Sequence, residues 1–304
     1  AWIVGRRGPR EAVTPERPHA TNVERERLAD GRIEDVATIF IANRECPFRC
    51  LMCDLWKYTT TTRVPDGSVA HQIESALATL PPVRHVKLYN AGSFFDPQAV
   101  PPADDAGIRD AVARMESVTV ECHPRFVGPR CRAFAAALAP RLEVAMGLET
   151  VDPSVLPRLN KRMTVADFDA AAARLLDWGV SVRAFILIRA PFQTESQGVA
   201  WATRSIEHAF SVGVSCCVVI PTRAGNGAME HLQETGLFAP PSMKGIEAVV
   251  EYGISLSKGR VLVDLWDMEK FFQCRRCGPI RMARLERMNL MQDVEPAIAC
   301  GCEP

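Results

Sequence analysis

The sequence predicts an α/β fold, a partial (β/α)6 TIM-like barrel of parallel strands, and three observations carry that prediction. Short apolar, β-branched runs recur six times. Stretches with helical periodicity separate them. The length, 304 residues, suits one large domain of about 200–250 residues with extensions at its ends. The runs are VATIFIA (36–42), HVKLY (85–89), VTVE (118–121), LEVAM (142–146), VSVRAFILI (180–188) and VSCCVVI (214–220). Between them, Val69, Ile73, Leu77 and Leu80 fall at helical spacing in 66–80. In 164–176, Thr164 stands where a cap is needed, and Val165, Phe168, Ala172 and Leu175 form one face. Strand and helix alternating in this way imply a parallel sheet.

The flanks differ from this rhythm. Residues 1–34 are rich in arginine, proline and acidic side chains and are read as an N-terminal extension. Residues 35–265 form the barrel and end in a late apolar run, RVLVDL (260–265). Residues 266–304 form a cysteine-bearing tail. Lysine plus arginine and aspartate plus glutamate number 36 each, so net charge gives no sign of a nucleic-acid partner. No apolar run reaches the ~18 residues of a membrane span, and residues 1–10 lack a secretory pattern. Eleven cysteines in that setting are expected to be metal ligands or catalytic groups in a reducing compartment, the cytoplasm.

In parallel α/β architectures the chemistry lies in loops at the C-terminal ends of the strands. The stretch Cys46-Pro-Phe-Arg-Cys-Leu-Met-Cys53 follows the first run. Structural zinc closes with four ligands, and these are three. A [4Fe–4S] cluster normally takes one thiolate per iron, so three thiolates leave one iron open for a small molecule. The alternatives are a zinc site completed by a distant ligand, or buried cysteines. At this position C-x3-C-x2-C resembles the radical S-adenosylmethionine (SAM) superfamily. The resemblance implies that Cys46, Cys50 and Cys53 hold a [4Fe–4S] cluster whose open iron binds SAM. It also implies reductive cleavage of SAM to a 5′-deoxyadenosyl radical, and an electron donor of the flavodoxin or ferredoxin type. Met52 takes the place of the large residue near adenine.

Further segments extend the resemblance. Tyr89-Asn-Ala-Gly-Ser-Phe-Phe-Asp96 stands where the superfamily often has Gly-Gly-Glu, so Asn90, Ala91, Gly92 and Ser93 are expected to hold the SAM amino group. Val120-Glu-Cys-His-Pro124 is similar to a segment of the Elongator catalytic subunit group. Gly147-Leu-Glu-Thr150 and Leu159-Asn-Lys161 are similar to segments shared with methylthiotransferases. This adds Glu121, Glu149 and Lys161 as candidate cofactor contacts, and Arg183, within the fifth run, as an anion site or a structural pair. Together with APFQTE, LWDMEKFFQC and RMNLMQ, the set over 36–302 resembles the radical SAM subunits of archaeosine synthase. That family implies carbon–nitrogen bond cleavage on a lysine-modified 7-deazaguanine in tRNA, and a partner enzyme subunit. A small-molecule radical SAM enzyme and a non-catalytic iron–sulfur sensor or interaction module are the rival readings.

In the tail, Cys274 with Cys277 and Cys300 with Cys302 match the four thiolates of a structural zinc or a second Fe–S cluster; free pairs are the plain alternative. Cys216 and Cys217 are adjacent in a strand run and face opposite sides, so they are expected to be small buried hydrophobes, as is Cys131. Cys122 and His123 end the third run, where packing outweighs hydrogen-atom donation. Gly225-Asn-Gly227 is a turn near the cofactor or a plain loop.

Overall fold

The structure is a computed structural model and describes residues 1–302. Eight strands form one sheet in sequence order. They are β1 (Ala20–Arg27), β2 (Ile33–Ile41), β3 (His85–Asn90), β4 (Ser117–Glu121), β5 (Arg141–Glu149), β6 (Ser181–Ile188), β7 (Cys216–Pro221) and β8 (Arg260–Val263). From β2 to β8 every neighbouring pair is parallel; β1 pairs antiparallel with β2. The helices are α1 (Ser68–Thr79), α2 (Asp105–Ala111), α3 (Pro129–Ala137), α4 (Val165–Asp177), α5 (Glu195–Ser211), α6 (Ala228–Glu234), α7 (Met243–Ser255) and α8 (Gly278–Met291). Thr164 caps α4 in a capping box with Asp167, and Thr194 does the same for α5 with Gln197. No helix among the described residues is long and apolar enough to cross a membrane.

Alternation along each strand divides the sheet into two faces. The outward set, including Ile39, Leu88, Val120, Val144, Val182, Ile186, Cys217 and Val219, packs under the helices in the main core. The inward set is of another kind. Tyr89 on β3 meets Phe40 on β2 and Phe185 on β6, with ring centroids 6.4 and 6.2 Å away. β3 and β6 are not neighbours, so the second contact requires the sheet to curl. Arg183 on β6 reaching Glu26 on β1 at 2.6 Å makes the same point lower in the barrel.

The six expected runs are strands, and the late run is a seventh parallel strand, β8. The extension holds β1, which the hydrophobic pattern did not announce. The reason is that its inward residues are Glu24 and Glu26, which pair with Lys87 and Arg183 across the barrel floor. Carboxylates with cationic partners, Glu26 buried and Glu24 exposed, replace the apolar residues that mark a strand in sequence.

The last helix completes the sheet. Asn289 Oδ1 accepts from Val263 N at 2.8 Å and Asn289 Nδ2 donates to Val263 O at 2.9 Å. Gln292 makes the same two bonds with Val261, at 2.7 and 2.9 Å. Side-chain amides thus stand in for the next strand and satisfy the free edge of β8. On its other flank α8 meets β1, where Arg27 donates to Leu290 O at 3.2 Å.

Candidate functional site

The loop that carries Cys46, Cys50 and Cys53 follows β2, at the C-terminal end of the barrel. It has little secondary structure of its own and is held from outside. Asn226 Nδ2 donates to Leu51 O at 2.8 Å and Cys53 O at 3.1 Å. Asn160 Nδ2 donates to Phe48 O and Arg49 O, both at 3.0 Å, and Leu51 N donates to Leu159 O at 2.8 Å. Glu45 before the first cysteine is bound by Arg7 and Arg10 of the extension. Phe48 stacks on His123 with ring centroids 3.7 Å apart. Met52 packs between two apolar clusters, beside Leu51 and Met229 on one side and Leu159 and Leu187 on the other.

Burial pushes all three loop thiols up, Cys50 to about 12, while Lys161 pulls Cys46 and Cys50 the other way. Metal binding at such thiols releases protons. Lys161 is itself buried and ion-paired to Glu149. Gly147 is required beside them: a Cβ there would fall 2.1 Å from Glu149 Oε1 and 2.3 Å from Lys161 Nζ. Glu149 sits at a register shift in β5 with φ of 64°. Arg49, Asn160, Arg162, Arg189 and Phe192 also have positive φ, between 54° and 75°. Each such residue costs of order 1–3 kcal/mol, and these lie in the loops of one barrel mouth.

Asn90 is buried, and neither Oδ1 nor Nδ2 of its side chain has a hydrogen-bond partner; Asn43 Oδ1 is also unpartnered. Gly92 lies between them, its missing Cβ 3.4 Å from each Nδ2. Orphaned buried amides ask for a ligand or water. Glu121 accepts from Asn90 N at 3.2 Å, and burial raises its carboxyl to about 7.

The structure therefore gathers Cys46, Cys50, Cys53, Met52, Asn90, Ala91, Gly92, Glu121, Glu149 and Lys161 at the mouth. Ser93 is fully buried, and its Oγ accepts from His123 N at 2.9 Å. Arg183 is not at the mouth. It lies near the start of β6, ion-paired to Glu26 and to Glu143 at 2.7 Å, as a structural pair in the floor. Cys122 points to the core with Cys131, and His123 is a clamp: Arg125 N donates to its Nδ1, its Nε2 bonds Lys161 O, and burial lowers it to about 4. Sequence reasoning missed Asn43, Glu45, Phe48 and Asn160, and left the role of Asn226 open. Asn226 lies inside the noted Gly225-Asn-Gly227 turn, and Asn160 inside the noted LNK, so both stretches carried the signal.

At the tail, the ligand atoms of Cys274, Cys277, Cys300 and Cys302 all lie within 4.8 Å of one another. Among the described residues no other group of potential metal ligands gathers in this way.

No protein-family profile matches the chain. Two archaeal proteins named archaeosine synthase subunit beta are similar to it. The one from Methanosarcina acetivorans is 29% identical over 201 residues, covering 63% of this chain and 58% of the relative. The one from Thermococcus kodakarensis is 25% identical over 225 residues, 71% and 69% of the two chains. Among solved structures, Elp3 of Methanocaldococcus infernus superposes with a TM-score of 0.55 at 14% identity, over 83% of this chain and 63% of that one. The chain shares the fold of Elp3. SuiB of Streptococcus suis, solved bound to S-adenosylmethionine, shares the fold of this chain with a TM-score of 0.52 at 12% identity, over 75% of this chain and 49% of SuiB.

Proposed function

We propose that this protein is a radical SAM enzyme in which Cys46, Cys50 and Cys53 hold a [4Fe–4S] cluster and the strand ends around Asn90, Gly92, Glu121, Glu149 and Lys161 hold SAM. The observation that carries the reading is the buried Asn90 amide. Both its polar atoms lack partners, and it stands at a strand end beside a clamped three-cysteine loop. When bound, the cluster and SAM would supply radical chemistry, the capacity to abstract a substrate hydrogen atom. The chain's own residues orient and seal. Asn160 and Asn226 fix the loop carbonyls, Met52 excludes water from one side, and the Glu149–Lys161 pair sets the charge beside the thiols.

For the substrate we infer a lysine-modified 7-deazaguanine in tRNA, cleaved at a carbon–nitrogen bond, with a partner subunit completing the enzyme. Two observations support it. The relatives are named subunit beta of archaeosine synthase. Arg125, Arg158 and Arg162 are exposed on segments that pack on the cysteine loop, and among the described residues none has an ion-pair partner. Arginines without carboxylate partners around a mouth suit phosphates, Arg158 being stacked on the Phe192 ring, although the whole chain is neutral. A second reading, a small-molecule substrate, is favoured by the partly buried inward rings of Phe40, Tyr89 and Phe185. Filter binding of modified tRNA to the wild type and to a triple Arg125→Glu, Arg158→Glu, Arg162→Glu variant separates the two. The tRNA reading expects at least about ten-fold weaker binding with a shallower salt slope. Unchanged binding sinks it and leaves the small-molecule reading.

A further inference from the structure

We propose that Cys274, Cys277, Cys300 and Cys302 hold one tetrahedral metal ion of the zinc class, and that this ion staples the chain's end around α8 to keep the β8 flank of the barrel closed. The proposal deepens the metal assignment and does not depend on the radical chemistry.

Geometry decides between an ion and a cluster. One ion with thiolate bonds of ~2.3 Å places its four sulfurs ~3.8 Å apart. Cys277 Sγ and Cys302 Sγ are 3.6 Å apart, and all four sulfurs lie within 4.8 Å of one another. In a four-iron cluster each thiolate sits on its own iron, which spreads the sulfurs outward beyond mutual contact. The tail sulfurs are too close together for that and too far apart for disulfides, and all four cysteines are free.

The surroundings suit a site that carries excess negative charge, as four thiolates around a divalent ion do. Arg276 Nη2 donates to Cys300 Sγ at 3.4 Å. Cys277 directly precedes Gly278, the first residue of the 14-residue helix α8, so the helix dipole favours charge there.

The position explains the purpose. Cys274 and Cys277 lie before α8, Cys300 and Cys302 after it, so an ion joining them closes a loop around the helix. The returning segment, 293–302, has no regular secondary structure. It is otherwise held by Arg281 donating to Ile298 O at 3.1 Å, Arg284 donating to Glu295 O, and Arg287 bound to the Glu295 carboxylate. Arg281 and Arg284 also grip Glu247 of α7. α8 in turn delivers Asn289 and Gln292 to β8. A small segment with little core of its own gains stability when metal binding is coupled to its folding.

The test is a metal count on the full chain, purified anaerobically with its iron–sulfur site reconstituted, for the wild type, a Cys300→Ser, Cys302→Ser variant and a Cys46→Ala, Cys50→Ala, Cys53→Ala variant. The expected result is about one zinc per chain in the wild type and the loop variant. In the tail variant zinc is lost while iron stays. Iron falling with the tail cysteines in a variant whose circular dichroism matches the wild type, or a wild type without zinc, overturns the proposal. Because the tail variant can fail to fold, the wild type is also exchanged into cobalt(II). Tetrahedral thiolate absorption bands are expected, and octahedral bands overturn the assignment. Zinc removal by chelator should raise hydrogen exchange at Val261 and Val263 about ten-fold. No change there would overturn the stapling role. Loss of iron in the loop variant reports on the catalytic reading alone, so either claim can fail without the other.

Discussion

Glu121 shows what a buried carboxyl with one hydrogen bond costs. Its carboxyl is buried on the inward face, accepts one hydrogen bond from Asn90 N, and is raised to about 7 chiefly by desolvation. Folding therefore favours its protonated form. Stability falls as pH rises from the ordinary carboxylate range through 7, because the folded chain binds the proton that the unfolded chain has released. Glu121→Gln removes that cost. Thermal unfolding should show the variant more stable than wild type by roughly 1–3 kcal/mol at pH 8 and equal to it at pH 4. A variant less stable at both pH values would mean that the acid is a satisfied structural group. The candidate residues were unequally legible. The cysteines announced themselves by spacing. Glu121, Glu149 and Lys161 were found through resemblance, and nothing in their local sequence distinguishes them from surface charges. Asn90 was expected, with Ala91, Gly92 and Ser93, to act through backbone carbonyls or small polar groups; that its side-chain amide is orphaned becomes visible only once burial is known. Arg183 was open between an anion site and an ion pair, a choice that needs the positions of Glu26 and Glu143.

At the scale of elements, the strands with apolar outward faces could be read from their composition, because the helices bury that face. β1 could not, since its inward side is charged. The role of RMNLMQ also lay beyond sequence. Polar amides near a helix end ordinarily face water, and only the assembled fold brings Asn289 and Gln292 to the edge of β8. Those side chains make four hydrogen bonds to Val261 and Val263. Replacing both with alanine leaves two buried strand N–H groups and two carbonyls without partners. Denaturant unfolding of the Asn289→Ala, Gln292→Ala variant should show a loss of about 2–5 kcal/mol, and the exposed edge should promote aggregation. A loss under about 0.5 kcal/mol, the range of ordinary surface changes, would show that water replaces the amides and that α8 is not the closing element.

Across the whole molecule, polarity is layered along the barrel axis. The floor is an ion network of Glu26, Lys87, Glu143, Arg183 and Arg260. Arg183 and Lys87 hold the Glu26 carboxyl well below its ordinary range against the cost of burial. Phe40, Tyr89 and Phe185 line the middle. The mouth carries the cysteine loop, the unpartnered Asn90 and the strained loop residues. The proposed radical chemistry is served by this arrangement: a floor whose charges are paired with one another, aromatic walls, and unpartnered polar atoms at the mouth. The account's central claim is that the mouth binds and cleaves SAM. Its most direct test is anaerobic iron–sulfur reconstitution, incubation with SAM and dithionite, and chromatography for 5′-deoxyadenosine. The account predicts product from the wild type and none from the variant lacking Cys46, Cys50 and Cys53. A reconstituted, reducible cluster that neither binds SAM nor yields 5′-deoxyadenosine would contradict it and point to an iron–sulfur sensor instead.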